Sequence, residues 1–216
     1  MSAAAGARGP SPTTPPARAD RRRASLLAAL DAMLREQPLA EINVADISNR
    51  AGVTRSAFYF YFESKAVAVS ALMAEVYDDS FVAATLLRAE DETPRARIKA
   101  GLQEMFETLD QHAHLYAAML EARATSNTVR ELWDAARESF VEPVATTIRD
   151  ERAAGRAPGG PDATSLASLL LELNDRVLER EVRGSAVPRE EHLDAVVAIW
   201  TRTIFGTDDP TPRSTR

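Results

Sequence analysis

Residues 43–65, NVADISNRAGVTRSAFYFYFESK, constrain the fold of this chain more than any other segment. Asn43 is a residue type that caps helices, and residues 44–50 place apolar side chains at helical spacing. Gly52 can take a positive φ without a Cβ clash, so the chain can turn sharply there. Thr54 can cap a second helix. The segment therefore predicts two short helices joined by a tight turn, a helix-turn-helix.

The second helix of this unit carries residue types that suit a DNA contact. In a helix-turn-helix its first residues reach base edges in the major groove, and residues 55–57 occupy that position. Phe58 and Phe62 are four residues apart and are expected to face the core. Hydroxyl and ammonium groups on the outer side can bind phosphates. The predicted DNA-binding residues are Asn43, Thr54, Arg55, Ser56, Ala57, Tyr59, Tyr61 and Lys65; the three at 55–57 are expected to read bases, and Tyr59, Tyr61 and Lys65 to hold phosphates.

The aromatic run at residues 58–62, FYFYF, also has a second interpretation. Alternating aromatic residues are common in β-strands and in buried helices, and the run alone does not separate these from a recognition helix. The Gly52 turn, the Thr54 cap and a further helix start at Ser64 favour the recognition helix.

Charge is distributed unevenly along the chain. The net charge is −6, yet residues 1–65 contain nine Lys or Arg against six Asp or Glu. The excess is modest, so DNA binding is expected to depend on placed contacts and on dimerisation as well as on bulk charge. Residues 21–23, all arginine, either reach DNA or form a solvated basic segment, and the sequence leaves both readings open.

The predicted fold class is all-α, with an N-terminal three-helix DNA-binding domain that contains the helix-turn-helix and a C-terminal helical ligand-binding and dimerisation domain. The expected domains are a disordered N-terminal arm (1–20), the DNA-binding domain (21–66), the helical domain (67–206) and a disordered tail (207–216). The arm is rich in Ala, Pro, Ser and Thr. Helices are expected at about 64–88, 94–111, 115–123, 126–154 with a kink at Pro143, 162–183 and 188–205.

Bulky apolar residues lie on several of these C-terminal helices, on faces expected to converge. A pocket lined by aromatic side chains with few polar groups holds small apolar or amphipathic molecules. The predicted ligand-binding residues are Leu102, Met105, Phe106, Leu109, Trp133, Phe140, Asn174 and Trp200. Asn174 is the polar exception. Plain core packing is the alternative interpretation for each aromatic residue, and a cross-link between helices for Asn174.

Several classes of protein are not expected. The chain has no cysteine and three histidines, and His112 and His114 would diverge on a helix, so no metal site and no cofactor are predicted. No apolar run approaches the roughly 20 residues that span a bilayer, so a cytoplasmic protein without a membrane partner is expected. No phosphate-binding loop or nucleophile–base motif appears, which argues against an enzyme.

Two segments together resemble a known family. They are ADISNRAGVTRSAFYFYFESKAVAV at 45–69 and ARATSNTVRELW at 122–133. This pattern resembles the TetR family of bacterial regulators, and within it the EthR-like subgroup. The resemblance implies that Ser64 caps a helix linking two domains, that Lys65 contacts a phosphate, and that Asn174 matches an asparagine which hydrogen-bonds an elongated apolar ligand.

The last two predicted helices carry apolar stripes that include Leu169, Leu170 and Trp200. In proteins that resemble this chain, such a pair packs against its symmetry mate as a four-helix dimer interface; the alternative is that the stripes are intrachain core. A homodimer implies a roughly palindromic double-stranded DNA operator. The predicted function is a ligand-responsive transcriptional regulator, most simply a repressor. The alternatives are a DNA-binding dimer without a ligand and a helical binding protein that does not contact DNA.

Overall fold

The structure is a computed structural model that describes residues 18–86 and 93–207 of the chain. Within these ranges the regular elements are all helical, which confirms the predicted all-α class. The helices are α1 (Arg18–Leu34), α2 (Val44–Arg50), α3 (Arg55–Tyr61), α4 (Lys65–Leu86), α5 (Pro94–Gln111), α6 (Ala113–Thr125), α7 (Asn127–Glu138), α8 (Val141–Ala153), α9 (Ala163–Val182) and α10 (Arg189–Phe205), with a 3₁₀ turn at Leu39–Glu41.

The helix-turn-helix forms through the caps that its sequence predicts. The Asn43 side chain accepts a hydrogen bond from the Asp46 backbone N–H at 2.9 Å, and α2 begins at the next residue. Thr54 Oγ1 accepts one from the Ala57 N–H at 3.2 Å, which starts α3. Gly52 lies between the two helices with φ 68°, a backbone conformation that side chains disfavour. Both caps and the turn are therefore confirmed.

The long kinked helix predicted for residues 126–154 is wrong in one respect, because the chain forms two helices there. Ser126 caps α7, which begins where the long helix was expected to begin, but α7 ends at Glu138, and α8 begins at Val141. Pro143 then lies in the first turn of α8. Proline has no N–H to donate, and its ring clashes with the carbonyl four residues earlier. A new helix that starts just before Pro143 avoids both penalties, since the first-turn N–H groups need no helical partner.

The two predicted terminal segments lie largely outside the described residues. Residues 18–20 of the expected arm belong to the first turn of α1, so this helix begins three residues before the predicted domain boundary. Residues 1–17 and 208–216 are not described. None of the helices in the described ranges is long and apolar enough to cross a membrane.

The hydrophobic core has two parts, and the first crosses the predicted boundary at residue 66. It joins α1, α2 and α3 to the first half of α4 and to α6, with Leu30, Phe58, Val69 and Met119 all buried in it. The second part lies between α5, α8, α9 and α10 and includes Trp200. Because α4 and α6 share a core with the helix-turn-helix and both contact α1, which in turn contacts α3, the recognition unit is packed against the helices of the C-terminal region.

A polar contact also connects the first helix to the C-terminal region. His114 Nε2 on α6 lies 2.7 Å from Asp31 Oδ1 on α1, and Arg35 Nε donates to Asp31 Oδ2 at 3.2 Å. Partial burial raises the pKa of Asp31, but the hydrogen bonds and charges of His114 and Arg35 outweigh it and hold this pKa below its ordinary value of 3.8. The ionised carboxylate is therefore the form that the fold stabilises.

We predict that Asp31→Asn lowers the free energy of unfolding by about 1 kcal/mol at neutral pH. The folded-state pKa of Asp31 is depressed. Its stabilising contribution is therefore present above the unfolded-state pKa and is lost as pH falls through the folded-state value. The difference between wild type and variant should shrink below about pH 4. Urea unfolding at pH 7 and pH 3 measures it, with exposed Asp150→Asn as the control; a difference that does not change with pH would contradict the assignment.

Candidate DNA-binding surface and ligand site

One face of α3 is fixed in the core and the opposite face is open to solvent. Phe58 and Phe62 are almost fully buried and anchor the helix, as predicted. Arg55 and Ser56 are exposed at its first turn, and Ala57 is half-buried. The residues predicted to read bases thus begin a short helix whose exposed side faces away from the rest of the protein, the placement that a recognition helix requires.

Arg55 is oriented by a neighbour on its own helix. Its Nη2 donates to the Tyr59 hydroxyl at 3.4 Å, and its guanidinium carbon lies 5.6 Å from the centre of the Tyr59 ring. A cation that lies over an aromatic face is held with less rotational freedom than an isolated side chain. Arginine recognises guanine through two parallel hydrogen bonds, so a restricted guanidinium on this face suits base recognition.

A groove of about 380 Å³ runs beside the start of α3. It is lined by Arg22, Asn49, Gly52, Val53, Thr54 and Ala57. Arg22 of α1 therefore lies next to the recognition helix. Arg23 points elsewhere: its Nη1 is 3.8 Å from Glu75 Oε1, and its guanidinium lies 5.6 Å from the centre of the Phe62 ring. The two neighbouring arginines thus have different surroundings, and Arg22 is the one that lies beside the predicted base-reading residues.

Lys65 requires a correction, because its ammonium group does not point outward. Nζ donates to the backbone oxygens of Leu39 at 2.6 Å and Ile42 at 2.7 Å, and lies 3.3 Å from that of Ala40. These carbonyl groups belong to the 3₁₀ turn and the residue after it. The ammonium has three N–H donors, and in this arrangement all three are used within the protein. Ser64 does cap α4, since its hydroxyl accepts from the Val67 N–H at 3.2 Å.

We predict that Lys65→Met lowers the free energy of unfolding by about 1.5–3 kcal/mol, the typical contribution of hydrogen bonds to a charged group. The salt dependence of DNA binding should stay the same, because the ammonium contacts carbonyl groups and not phosphates. Chemical denaturation and binding titrations at several salt concentrations test the two statements. Lys99→Met removes an equally charged but more exposed side chain and serves as the control. If Lys65→Met flattens the salt dependence of DNA binding, the ammonium group of Lys65 does contact a phosphate and the prediction is wrong.

The remaining predicted DNA-binding residues fall into two groups. Tyr59 is exposed, whereas Tyr61 is half-buried against the N-terminal core, so only Tyr59 presents most of its ring to solvent. Asn43 is exposed, but its side chain is used by Asp46, whose N–H and carboxylate both bond to it. Thr54 likewise uses its hydroxyl oxygen as a cap. Asn43 and Thr54 therefore position the helices.

The predicted ligand-binding residues are divided between the two parts of the core. Leu109 and Trp133 belong to the N-terminal part, whereas Leu102, Phe106 and Trp200 belong to the C-terminal part. Met105 packs against both. Phe140 is half-buried in the junction between α7 and α8. The structure thus divides these residues between the two parts of the core and does not gather them around one centre.

Asn174 and the two tryptophans make specific polar contacts. Trp200 Nε1 donates to Asn174 Oδ1 at 3.0 Å, which links α10 to α9. Trp133 Nε1 donates to Asp175 Oδ2 at 2.8 Å, and Arg137 Nη1 donates to the same oxygen at 3.0 Å. Burial, with a further contribution from the Asp175 charge, raises the pKa of the nearby Tyr116 to about 12. A charged group therefore lies beside the predicted apolar site.

A small cavity of about 20 Å³ lies in the C-terminal part of the core. Its walls are Pro94, Arg97, Ile98, Val144, Thr147, Trp200, Ile204 and Phe205. Trp200 is the residue that it shares with the predicted ligand set. A volume of this size accommodates about one water molecule, so an elongated ligand at this place would require α5 or α10 to move.

Two family descriptions match the chain. "Bacterial regulatory proteins, tetR family" matches residues 26–72, which include the helix-turn-helix and the start of α4. "Transcriptional regulator EthR, C-terminal domain" matches residues 98–206, from α5 to the end of α10. The chain belongs to the TetR family. Its members are transcriptional regulators, so a regulator and not an enzyme is confirmed, and the C-terminal match agrees with the EthR-like subgroup.

Individual relatives of this TetR-family chain agree with the assignment. It is 35% identical over 191 residues to the HTH-type transcriptional regulator EthR of Mycobacterium tuberculosis, covering 87% of this chain and 88% of the relative. A TetR-family regulator from Syntrophomonas wolfei has the same fold, with a TM-score of 0.69, 17% identity and 86% and 95% coverage. A transcriptional regulator from Saccharomonospora viridis, solved in complex with choline, has a TM-score of 0.63, 16% identity and 85% and 96% coverage.

Phe60 is the residue of the candidate surface that the sequence interpretation omitted. Its side chain is 79% exposed, more than any other large apolar side chain among the described residues. Helical spacing contains the signal, because a residue midway between two inward-facing residues four apart points outward. Arg22 could be predicted only in part. The sequence indicates the arginine cluster at residues 21–23, but it gives no reason to single out Arg22.

Proposed function

We propose that this TetR-family protein is a ligand-responsive transcriptional repressor that binds a palindromic operator as a homodimer. The observation that carries the proposal is the exposed face of α3, on which Arg55 and Ser56 stand at the first turn while Phe58 and Phe62 fix the helix in the core. A capped, anchored helix with an open polar first turn can enter the major groove without a change of fold.

Dimerisation is supported by two exposed apolar side chains on the last two helices. Leu169 on α9 is 63% exposed and Ile199 on α10 is 44% exposed. The rest of the apolar stripes turns inward, with Leu170, Val197 and Trp200 buried. The buried members thus belong to the intrachain core, whereas the exposed ones support the proposal of a dimer interface. Two copies related by a twofold axis would cover these side chains and place two α3 helices on one side of the duplex.

Ligand response is supported by the way the helices are packed. The N-terminal part of the core includes residues of α1, α4 and α6, and Met105 packs against it. It therefore connects this predicted ligand-binding residue to the helix-turn-helix. A ligand that separates α5 from α10 would alter this packing and change the distance between the two α3 helices of a dimer. It can shift the equilibrium only by its difference in affinity for the two arrangements. The choline complex of the Saccharomonospora viridis regulator supports the capacity of this fold to hold a small molecule.

A DNA-binding dimer without a small-molecule ligand is the second candidate. It is favoured by the hydrogen bond from Trp200 to Asn174, which occupies the side-chain oxygen of the one polar residue that was expected to bind a ligand. Titrating a protein–operator complex with long-chain aliphatic amides and alcohols separates the two candidates. Release of operator with a change in tryptophan fluorescence supports the repressor that responds to ligand; unchanged binding across the series supports the simple dimer.

Selection of bound duplexes from a random DNA pool tests the DNA-binding function itself. We predict enrichment of a palindromic motif by the wild-type protein, because a symmetric dimer reads two inverted half-sites. Arg55→Ala should relax the preference at one position in each half-site, at a cost of about 1–3 kcal/mol per bidentate contact. An unchanged motif would show that Arg55 does not read a base. Absence of any enriched duplex would argue against a sequence-reading regulator.

A further inference from the structure

Phe60 is a large apolar side chain in an unusual position. Phenylalanine is among the residue types most often buried, yet here 79% of the side chain is exposed. A single exposed apolar residue is ordinary on a protein surface, so exposure alone has no functional meaning. The position of this residue on the recognition helix is what distinguishes it from other exposed apolar side chains.

The geometry of α3 places Phe60 at the centre of its outward face. Successive residues of a helix are about 100° apart, so Phe60 projects opposite to the buried pair Phe58 and Phe62. Ser56 lies one turn earlier on the same face and is exposed. A helix that inserts its exposed face into the major groove with Ser56 near the bases therefore carries Phe60 into the groove as well.

The ring is also held in a defined orientation. It packs edge-to-face against Tyr61, with ring centres 5.0 Å apart and planes at 88°. Tyr61 in turn packs against the N-terminal core. Contacts of this type restrict the motion of both rings. Phe60 thus reaches the duplex with less conformational freedom to lose than an isolated side chain would have.

The chemistry of the groove offers one suitable partner for such a ring. A phenyl group has no hydrogen-bond donor or acceptor, and burying a polar base edge against it leaves that edge unsatisfied. In the major groove thymine alone presents an apolar group, its C5-methyl. We propose that Phe60 is a specificity-determining residue that contacts the C5-methyl group of one thymine in each half-site. This inference rests on the DNA-binding function proposed above.

Deoxyuridine provides a direct test, because it differs from thymidine in DNA only by the absence of the methyl group. Starting from the operator selected above, each thymine is replaced in turn, symmetrically in both half-sites, and binding is measured at physiological salt. Wild-type protein should lose about fourfold in affinity per half-site at one thymine, which corresponds to about 0.8 kcal/mol for a buried methyl-sized group. Phe60→Ala should bind the thymidine and deoxyuridine operators equally.

Two further variants keep the result interpretable. Leu132→Ala removes an exposed apolar side chain on α7, away from α3, and should keep the full thymidine preference. Phe60→Leu retains an apolar group and should keep part of it. Circular dichroism and thermal melting should match wild type for Phe60→Ala, because little of the ring is buried.

Each outcome has a definite meaning. Loss of the thymidine preference in Phe60→Ala alone supports the contact. If Phe60→Ala weakens binding but keeps the preference, or if wild type binds all deoxyuridine operators as well as the thymidine operator, the contact with a methyl group is wrong while the DNA-binding function stands. If no duplex is enriched in the selection, the proposed function fails and this inference fails with it.

Discussion

Glu151→Gln should lower the free energy of unfolding by about 3–5 kcal/mol, the typical cost of removing one partner of a buried ion pair. Glu151 on α8 has no exposed surface, and its carboxylate lies between two arginines. Arg156 Nε donates to Oε2 at 2.6 Å, and Arg97 Nη2 donates to Oε1 at 3.5 Å. Arg97 is itself buried on α5. A neutral glutamine removes the negative charge that compensates a guanidinium held away from water.

The size of this effect depends on burial, and a second ion pair shows why. Glu142 and Arg149 also form an ion pair within α8, but both side chains are exposed to solvent. Exposed pairs contribute about 0–1 kcal/mol, because water solvates the separated charges. Glu142→Gln should therefore leave stability nearly unchanged, and it serves as the matched control in the same helix.

Urea unfolding measures the free energy of unfolding of three proteins beside wild type. They are Glu151→Gln, Glu142→Gln and a double variant that combines Arg97→Met with Glu151→Met. The double variant removes the buried charges from α5 and α8 together and should be more stable than Glu151→Gln, because replacing a buried pair by apolar groups often costs little. Arg156 is partly exposed and can turn to solvent. A loss below about 1 kcal/mol for Glu151→Gln would mean that water reaches Arg97 and the pair is not desolvated.

Local sequence signals predicted much of this fold. Asn43 and Thr54 cap the helices that they were expected to cap, and Ser64 and Ser126 cap helices that were expected to begin at those positions, because a cap depends on residues only three positions apart. The outward direction of Phe60 follows from the same kind of local geometry, since Phe58 and Phe62 mark the inner side of α3. The sequence therefore contains the information that places Phe60 on the outer side.

Contacts between distant residues could not be predicted in the same way. Lys65 bonds to carbonyl groups more than 20 residues earlier, and backbone carbonyls have no signature in the sequence. Glu151 and Arg97 are 54 residues apart, so nothing distinguishes them from the other charged residues of their helices. The division of Trp133 and Trp200 between two parts of the core likewise depends on helix packing and not on spacing.

Leu169→Glu should convert the proposed dimer to a monomer and lower operator affinity by about 10²–10⁴, the usual gain from linking two binding units. Leu169 is 63% exposed on α9, so the substitution should leave the fold of one chain intact. In a twofold interface the substitution occurs on both sides at once, so it would bury two carboxylates without partners. Analytical ultracentrifugation and operator titrations measure the two consequences.

A matched variant and a shorter duplex separate loss of dimerisation from damage to the protein. Leu132 is a leucine with 44% exposure on α7, outside the α9–α10 surface, so Leu132→Glu should stay dimeric with wild-type operator affinity. On a duplex that contains one half-site, wild type and Leu169→Glu should bind equally, because only one α3 can be used. Equal weakening on the half-site would indicate a disturbed recognition unit. A Leu169→Glu protein that remains dimeric would place the interface elsewhere, since a buried carboxylate without a partner at this position strongly disfavours association.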